Sequence, residues 1–468
     1  MQLTRRPLLA MGVAMALGAG AGYANATTSF LGDWFGSLDL GSRRLHLRLV
    51  VSEGPRAILY SIDQGNSPIP AGETRIEGDR IFISWPAIGA SYAGQLTGNA
   101  IVGQFMQGGV LPLNFSRTQD TQSIVRPEPL TQGLLAKLRS ECGAPALAAA
   151  SWNRIGRRVA FVDGMRAIGR GNAVTTADKW HIGSCTKSMT ATLVARAVDA
   201  GLIGWNDTVW QTLGRVVPEM QPEYRDITYR HLLSHRSGMA ANIDVPELVK
   251  FPRESADARA DRAAYARLAL SRAPAGRKET HFEYSNSGYA VVGAMLEARL
   301  AAPWEKLIHD HVFLPLKMTS AGFGAPGTPG AYDQPVGHTA NAVGTLEPYP
   351  PGAPVTDNPA VLGPAGRVHA ALDDVLRYLN EHCTKSSFLR EASWKMLHTP
   401  PFGGKYAMGW ERRDKLLWHT GSNTLWYCEM AVDLARGIVS VAATNDGRMA
   451  TVSVPVSKAQ ASAAEAVA

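Results

Sequence analysis

Residues 118–129 carry Thr, Gln, Asp and two prolines with no apolar periodicity, and the sequence reads differently on either side of them. From Phe30 to Arg117, apolar residues recur at every second position in short runs, as in Leu45-His46-Leu47-Arg48-Leu49, with Gly, Pro, Asn and Asp between the runs. A period of two puts alternate side chains on one face of a strand. After Leu130, helical and strand periods mix. A chain of 468 residues is also too long for one core, since domains run roughly 100 to 200 residues. Residues 118–129 are therefore read as a linker between an all-β module, 27–117, and a larger α/β (α+β) domain, 130–468.

In the module, strands are expected at 57–62, 80–85, 91–96, 100–106 and 110–115, with hairpin turns at Gly98-Asn99 and Glu77-Gly78-Asp79. That spacing suits a small barrel or sandwich. The opening Gly32-Asp33-Trp34 is too common a triplet to carry a ligand assignment, so the module is read as structural. In the larger domain, strands are expected at 145–152 and 158–163, helices in the middle, and strands again at 406–411, 416–419, 426–433 and 437–445. Strands split in this way imply an antiparallel sheet backed by helices.

The first 26 residues read as an export signal. Arg5 and Arg6 precede an apolar run, 8–21, and Ala24-Asn25-Ala26 offers small residues for cleavage. Thr4-Arg5-Arg6-Pro7-Leu8-Leu9 resembles a twin-arginine signal, and the general secretory route stays open. The run is shorter than the ~20 residues that span a bilayer, and no later segment is apolar enough to do so. The chain is therefore expected to be exported, periplasmic or secreted, with no stable membrane span. Arg5 and Arg6 are the only charges in the segment, so its removal takes the formal net charge from +7 to +5. The remaining basic residues are scattered, which excludes a nucleic-acid footprint. Cys142, Cys185, Cys383 and Cys428 show no C-x-x-C spacing, which argues against a zinc site or a redox pair. No pairing among them is assigned.

The chemistry starts at Trp180-His181-Ile182-Gly183-Ser184-Cys185-Thr186-Lys187, which leads into an amphipathic helix with Met189, Leu193 and Ala197 at i, i+4 spacing and Gly201 as its stop. Ser184 then sits at a helix N-terminus, where free amides favour negative charge. Lys187, three residues on, shares its face. A lysine buried beside polar groups loses proton affinity and can accept the serine proton. S-x-x-K alone is a weak signal, for which a capping serine followed by a surface lysine is the commoner explanation.

Two further segments raise its weight. Tyr284-Ser285-Asn286 and His419-Thr420-Gly421 follow in order, and with Ser184 and Lys187 the chain resembles the serine hydrolases of the class C β-lactamase and penicillin-binding protein type over 134–445. The segments 232–238, 363–366 and 406–410 strengthen that resemblance. It implies a β-lactamase/transpeptidase-like fold and acyl transfer through an acyl-enzyme. Ser184, Lys187 and Tyr284 would be catalytic, Tyr284 relaying protons and Asn286 orienting Lys187 and a substrate amide. His419, Thr420, Gly421 and Ser422 would line the substrate site, with the backbone amides of Ser184 and Ser422 as the oxyanion hole. No metal or organic cofactor is implied.

Two departures from the family pattern stand out. Ser422-Asn423-Thr424-Leu425-Trp426 replaces the usual small residues and is expected to reshape the cleft. The tail after Asn445 is poor in apolar periodicity and carries Pro455, so its last residues are expected to be disordered. His231 and His235 have the spacing of metal ligands but lack H-E-x-x-H, and they are read as helix packing, as are His309 and His311. No G-x-S-x-G elbow exists.

Three functions fit: an esterase or D-amino-acid peptidase, a true β-lactamase, and a catalytically weak envelope-binding protein. The first is favoured, because a binding protein has no chemical need for Ser184, Lys187 and Tyr284 together. The implied partners are a small ester, a D-amino-acid peptide or a β-lactam. Neither the acyl and leaving groups nor the oligomeric state is set by the sequence.

Overall fold

The computed structural model describes residues 30–39, 44–61, 68–107, 110–117, 127–255, 257–353 and 355–468. The expected export segment, 1–26, and the linker residues 118–126 lie outside the described residues. The chain divides into two compact units, Met1–Val125 and Arg126–Ala468.

The first unit contains β1 (Gly32–Asp39), β2 (Arg44–Ser52), β3 (Arg56–Ser61), β4 (Pro68–Pro70), β5 (Glu73–Glu77), β6 (Arg80–Trp85), β7 (Ala90–Thr97), β8 (Ala100–Met106) and β9 (Val110–Ser116), in the order β4-β3-β2-β1-β9-β8-β7-β6-β5. The terminal strands of that order are two halves of one bent run. β4 pairs with β3 and β5 with β6, while Ala71 N–H donates to Ala57 O and Gly72 N–H to Ser84 O, both at 2.9 Å. The sheet thereby closes on itself as a barrel, which removes its edges. Alternation sends Trp34, Leu49, Ile81, Trp85, Tyr92 and Phe115 into one buried core. The phenol of Tyr92 is buried there and donates to Leu113 O at 3.1 Å, as a polar group in an apolar core must.

The second unit is built on strands β10 (Ala146–Asn153), β11 (Arg158–Gly164), β12 (Lys179–His181), β13 (Val368–Ala371), β14 (Glu411–Arg413), β15 (Leu416–Ser422), β16 (Tyr427–Asp433) and β17 (Ile438–Thr444). Its principal helices are α1 (Gln132–Cys142), α2 (Thr186–Asp199), α3 (Asn286–Leu300), α4 (Leu372–Thr384) and α5 (Met449–Ala466). Six strands form one antiparallel sheet in the order β11-β10-β17-β16-β15-β14. Helices α1 and α5 pack on one face, where Leu135, Leu138, Val452 and Val456 share a core with Leu147 and Ala442. α4 packs on the other, with α2 and α3 in the larger core behind it. Strand β12 pairs with β13 and delivers the chain to the start of α2.

Two expectations are corrected. The tail after Asn445 folds into helix α5, Met449–Ala466, with Val452, Val456, Ala459 and Ala463 buried along one stripe. Pro455 inside a helix costs about 3 kcal/mol, and burying the two valines offsets this at about 1.5–3 kcal/mol each. Ser151 Oγ, Asn153 Nδ2 and Arg157 Nη1 take up the carbonyls of Ala463, Val467 and Ala468 at its end. The expected strand at 406–411 begins only at Glu411. Gly409 takes a left-handed φ of 76° and Ala407 N–H donates to Trp410 O at 2.8 Å, so 406–410 turns instead of extending.

Candidate active site

Ser184 lies on a one-turn 3-10 segment, Gly183–Cys185, that runs directly into α2. Lys187 is in the first turn of that helix, and its side chain is wholly buried. Its Nζ donates to Ser184 Oγ at 3.2 Å, Asn286 Oδ1 at 2.7 Å and Ala365 O at 2.8 Å. All three acceptors are neutral. Burial without a counter-charge pulls the ammonium pKa down from 10.5 to about 7. A large part of Lys187 is therefore the free amine at neutral pH, and its lone pair has Ser184 Oγ–H within reach.

Asn286 opens α3. Ser285 caps that helix by accepting from Gly288 N–H at 2.9 Å. The Lys187 ammonium can only donate, so Asn286 turns its oxygen to it and its Nδ2 to Asn242 Oδ1 at 3.0 Å. Tyr284 lines the same cleft as Ser184, and burial holds its phenol far above the ordinary range, so it is a proton donor at neutral pH. Lys187 Nζ lies 4.7 Å from the centroid of the Tyr284 ring, over its face.

His419, Thr420, Gly421 and Ser422 form the end of β15, packed against the Ser184 turn. The approach is one of backbone to backbone. A Cβ on Gly183 would stand 2.4 Å from Ser422 N, and one on Gly421 would stand 2.7 Å from Ser184 N and 2.0 Å from Ile182 O. Only glycine fits at either position. The turn that carries Ser184 and the end of β15 that carries Ser422 thereby lie backbone against backbone.

His419 is buried and both ring nitrogens are engaged. Thr420 O is an acceptor, so Nδ1 carries the proton and donates at 2.6 Å, while Nε2 accepts from Tyr406 O–H at 2.9 Å. Burial, with the positive charge of Lys187 second, lowers its pKa to about 3. The imidazole is neutral.

Clefts open on both sides of Ser184. One, of about 420 Å³, is walled by Phe282, Tyr406, Trp418 and Tyr427. The other, of about 230 Å³, is lined by Asn242, Asn286, Ile243 and Leu362. Trp426, in the segment expected to reshape the cleft, turns into the core, where its Nε1–H donates to Pro335 O at 3.0 Å.

The remaining residues fall outside the chemistry. Cys185 is fully buried, and all four cysteines are free thiols. His231 packs on Phe402 with its nitrogens on Thr228 and Glu279. His235 Nδ1 accepts from Ser285 N–H at 3.0 Å. Among the described residues no group of three or more His, Cys, Asp or Glu could hold a metal, and no helix is long and apolar enough to cross a membrane.

Sequence reasoning left out Ala365, whose carbonyl holds Lys187, as well as Tyr406 and Asn242. Residues 363–366 and 406–410 were singled out by resemblance, but nothing in them announces a backbone acceptor or a hydroxyl aimed at His419.

A Beta-lactamase family model matches residues 131–465. Penicillin-binding protein 4 of Amycolatopsis lactamdurans is 29% identical over 229 residues, 47% of this chain and 55% of that protein. The chain spans about half the length of the curated relatives it matches. The structure of the D-amino acid amidase from Ochrobactrum anthropi SV3 complexed with L-phenylalanine superposes with a TM-score of 0.59 at 18% identity, over 72% of this chain and 97% of that one. EstCE1, a hydrolase with promiscuous acyltransferase activity, gives a TM-score of 0.59 at 18% identity, over 71% and 97%. At these identities the two likenesses are of fold. The family match covers nearly all of the unit that holds Ser184, Lys187, Tyr284 and His419, and the chain belongs to the Beta-lactamase family, the serine hydrolases of β-lactamase and penicillin-binding protein type.

Proposed function

We propose that the chain hydrolyses an ester or a D-amino-acid amide through an acyl-enzyme on Ser184, and that residues 1–26 direct its export. The observation that carries this reading is the Lys187 Nζ buried 3.2 Å from Ser184 Oγ among neutral acceptors only. The amine takes the proton of Ser184 Oγ–H as the oxygen bonds to the substrate carbonyl carbon. The carbonyl electrons move to its oxygen, which the amides of Ser184 and Ser422 receive. Collapse of the tetrahedral intermediate expels an alkoxide or amine, which takes a proton from Tyr284 or from Lys187. Water then attacks the acyl carbon by the same route. Asn286 has one further Nδ2 hydrogen for a substrate carbonyl.

Esters and amides are favoured over β-lactams because His419 stands where a cation would hold the β-lactam carboxylate, and it is neutral. Steady-state assays with a p-nitrophenyl ester, a D-amino-acid p-nitroanilide and a fluorescent penicillin test the reading. Turnover of the ester or anilide that disappears in Ser184→Ala supports it. Turnover undiminished in that variant, or turnover of none of the three, refutes it.

A further inference from the structure

A buried carboxylate that takes no part in the chemistry touches both sides of the proposed oxyanion hole. Asp357 is 3% exposed. Its Oδ2 accepts from His181 Nε2–H and Arg367 Nε–H, both at 3.1 Å. Its Oδ1 accepts from Asn423 Nδ2–H at 3.1 Å and from Asn358 N–H at 2.7 Å.

Each of two of these partners ends on one amide-bearing turn. Gly183 N–H donates to His181 Nδ1 at 3.1 Å, so that nitrogen carries no proton and the Nε2–H faces Asp357. The imidazole is held flat on Trp426, ring centroids 5.5 Å apart. Gly183 immediately precedes Ser184. On the other side, Asn423 immediately follows Ser422, and its Oδ1 accepts from Leu425 N–H and Trp426 N–H at 3.2 Å. The carboxylate is thus the common acceptor of the turn before Ser184 and the turn after Ser422. These two stretches belong to different elements and also meet through bare glycine backbone and the stacking of His181 on Trp426.

We propose that Asp357 is a positioning residue that fixes the separation of the Ser184 and Ser422 amides through His181 and Asn423. The inference rests on the hydrolase reading above. Only an acceptor on both sides can serve: a carboxamide at 357 presents one oxygen and one donor, so it must oppose either Asn423 Nδ2–H or His181 Nε2–H with a second donor. Two donors facing one another in a buried site push the turns apart. Oxyanion stabilisation, needed chiefly in the transition state, is lost before ground-state binding.

The test is steady-state ester hydrolysis by the full chain carrying Asp357→Asn, Asn423→Asp, or both. Each single change is expected to lower kcat by roughly 10- to 100-fold, less than outright loss of an oxyanion donor, with KM within about threefold. The exchange of both residues restores the pairing between 357 and 423, because the carboxamide at 357 then accepts from His181 and donates to the carboxylate at 423, leaving only Asn358 N–H without its acceptor. Its kcat is expected to recover by about tenfold over the singles. Bulk stability alone would not produce that recovery at constant KM. If Asp357→Asn does not fold, Asn423→Ala cuts only the Ser422 arm and should show the same fall in kcat at held KM. An active wild type with unchanged kcat in a folded Asp357→Asn, or a double variant no better than the worse single, overturns the clamp alone. A wild type inactive on esters overturns the hydrolase reading and the clamp with it.

Discussion

Lys187 Nζ meets Ser184 Oγ at 3.2 Å, with Asn286 Oδ1 and Ala365 O as its other partners and no carboxylate among the three. A carboxylate in place of either acceptor would keep the lysine charged and useless as a base. Burial instead brings its pKa to about 7.

The first consequence is a pH profile. The protonated ammonium cannot accept the serine proton, so kcat/KM for a neutral ester should rise with pH between 6 and 8.5, with its midpoint near 7, and then level off. Lys187→Ala should lose roughly 10²- to 10⁴-fold in kcat and lose that ascending limb. A profile that is flat or falls over this range contradicts Lys187 as the base.

Tyr284 supplies a second test. Its phenol is held protonated by burial, so in the proposed mechanism it gives and relays a proton. Tyr284→Phe keeps the ring over Lys187 and removes only the hydroxyl. A fall in kcat of roughly 10²-fold with little change in KM is expected. Equal activity of the two proteins would exclude the hydroxyl from the reaction.

His419 governs a third. With its pKa at about 3, it carries no charge between pH 5.5 and 8.5, so the ratio of cephalosporin to ester turnover should stay low and constant over that range. His419→Lys should raise that ratio by placing a cation at the cleft, while ester kcat falls as the Tyr406 hydrogen bond is lost. Efficient cephalosporin hydrolysis by the wild type at pH 8, unchanged by the substitution, would remove this basis for specificity.

The contact between Ser184 and Lys187 was legible because it is local. Ser184 and Lys187 share one helical turn, and a spacing of three residues fixes their relative position whatever the rest of the chain does. Tyr284, Asn286 and His419 were legible only through the order of their motifs. The third hydrogen bond of Lys187 was not, because it ends on the backbone carbonyl of Ala365, and a carbonyl has no side chain to read. Asp357 was equally silent, a lone acid in a loop rich in Pro and Gly whose partners lie 66 and 176 residues away. Helix α5 was missed for a packing reason. Its buried stripe is half alanine, and it lies on a sheet whose facing residues, Ala149 and Ala442, are small as well. Close approach replaces bulk there, and hydropathy does not register it.

The division of the chain gives a fourth prediction. The hydrolase unit has its own cores, and Leu130 N–H is tied to Ser462 O at 2.9 Å. A truncated protein beginning at Arg126 should fold and keep part of its ester hydrolysis. An unfolded circular dichroism spectrum would mean that the two units share a core.

The most direct measurement is the mass of the enzyme during turnover. After mixing with a slowly deacylating ester or penicillin and acid quenching, intact-protein mass spectrometry should show one added acyl group. Peptide mapping should place it on Ser184, and Ser184→Ala should show none. An adduct on another residue, or catalysis by a Ser184→Ala protein at the wild-type rate, would contradict a nucleophilic Ser184 activated by Lys187.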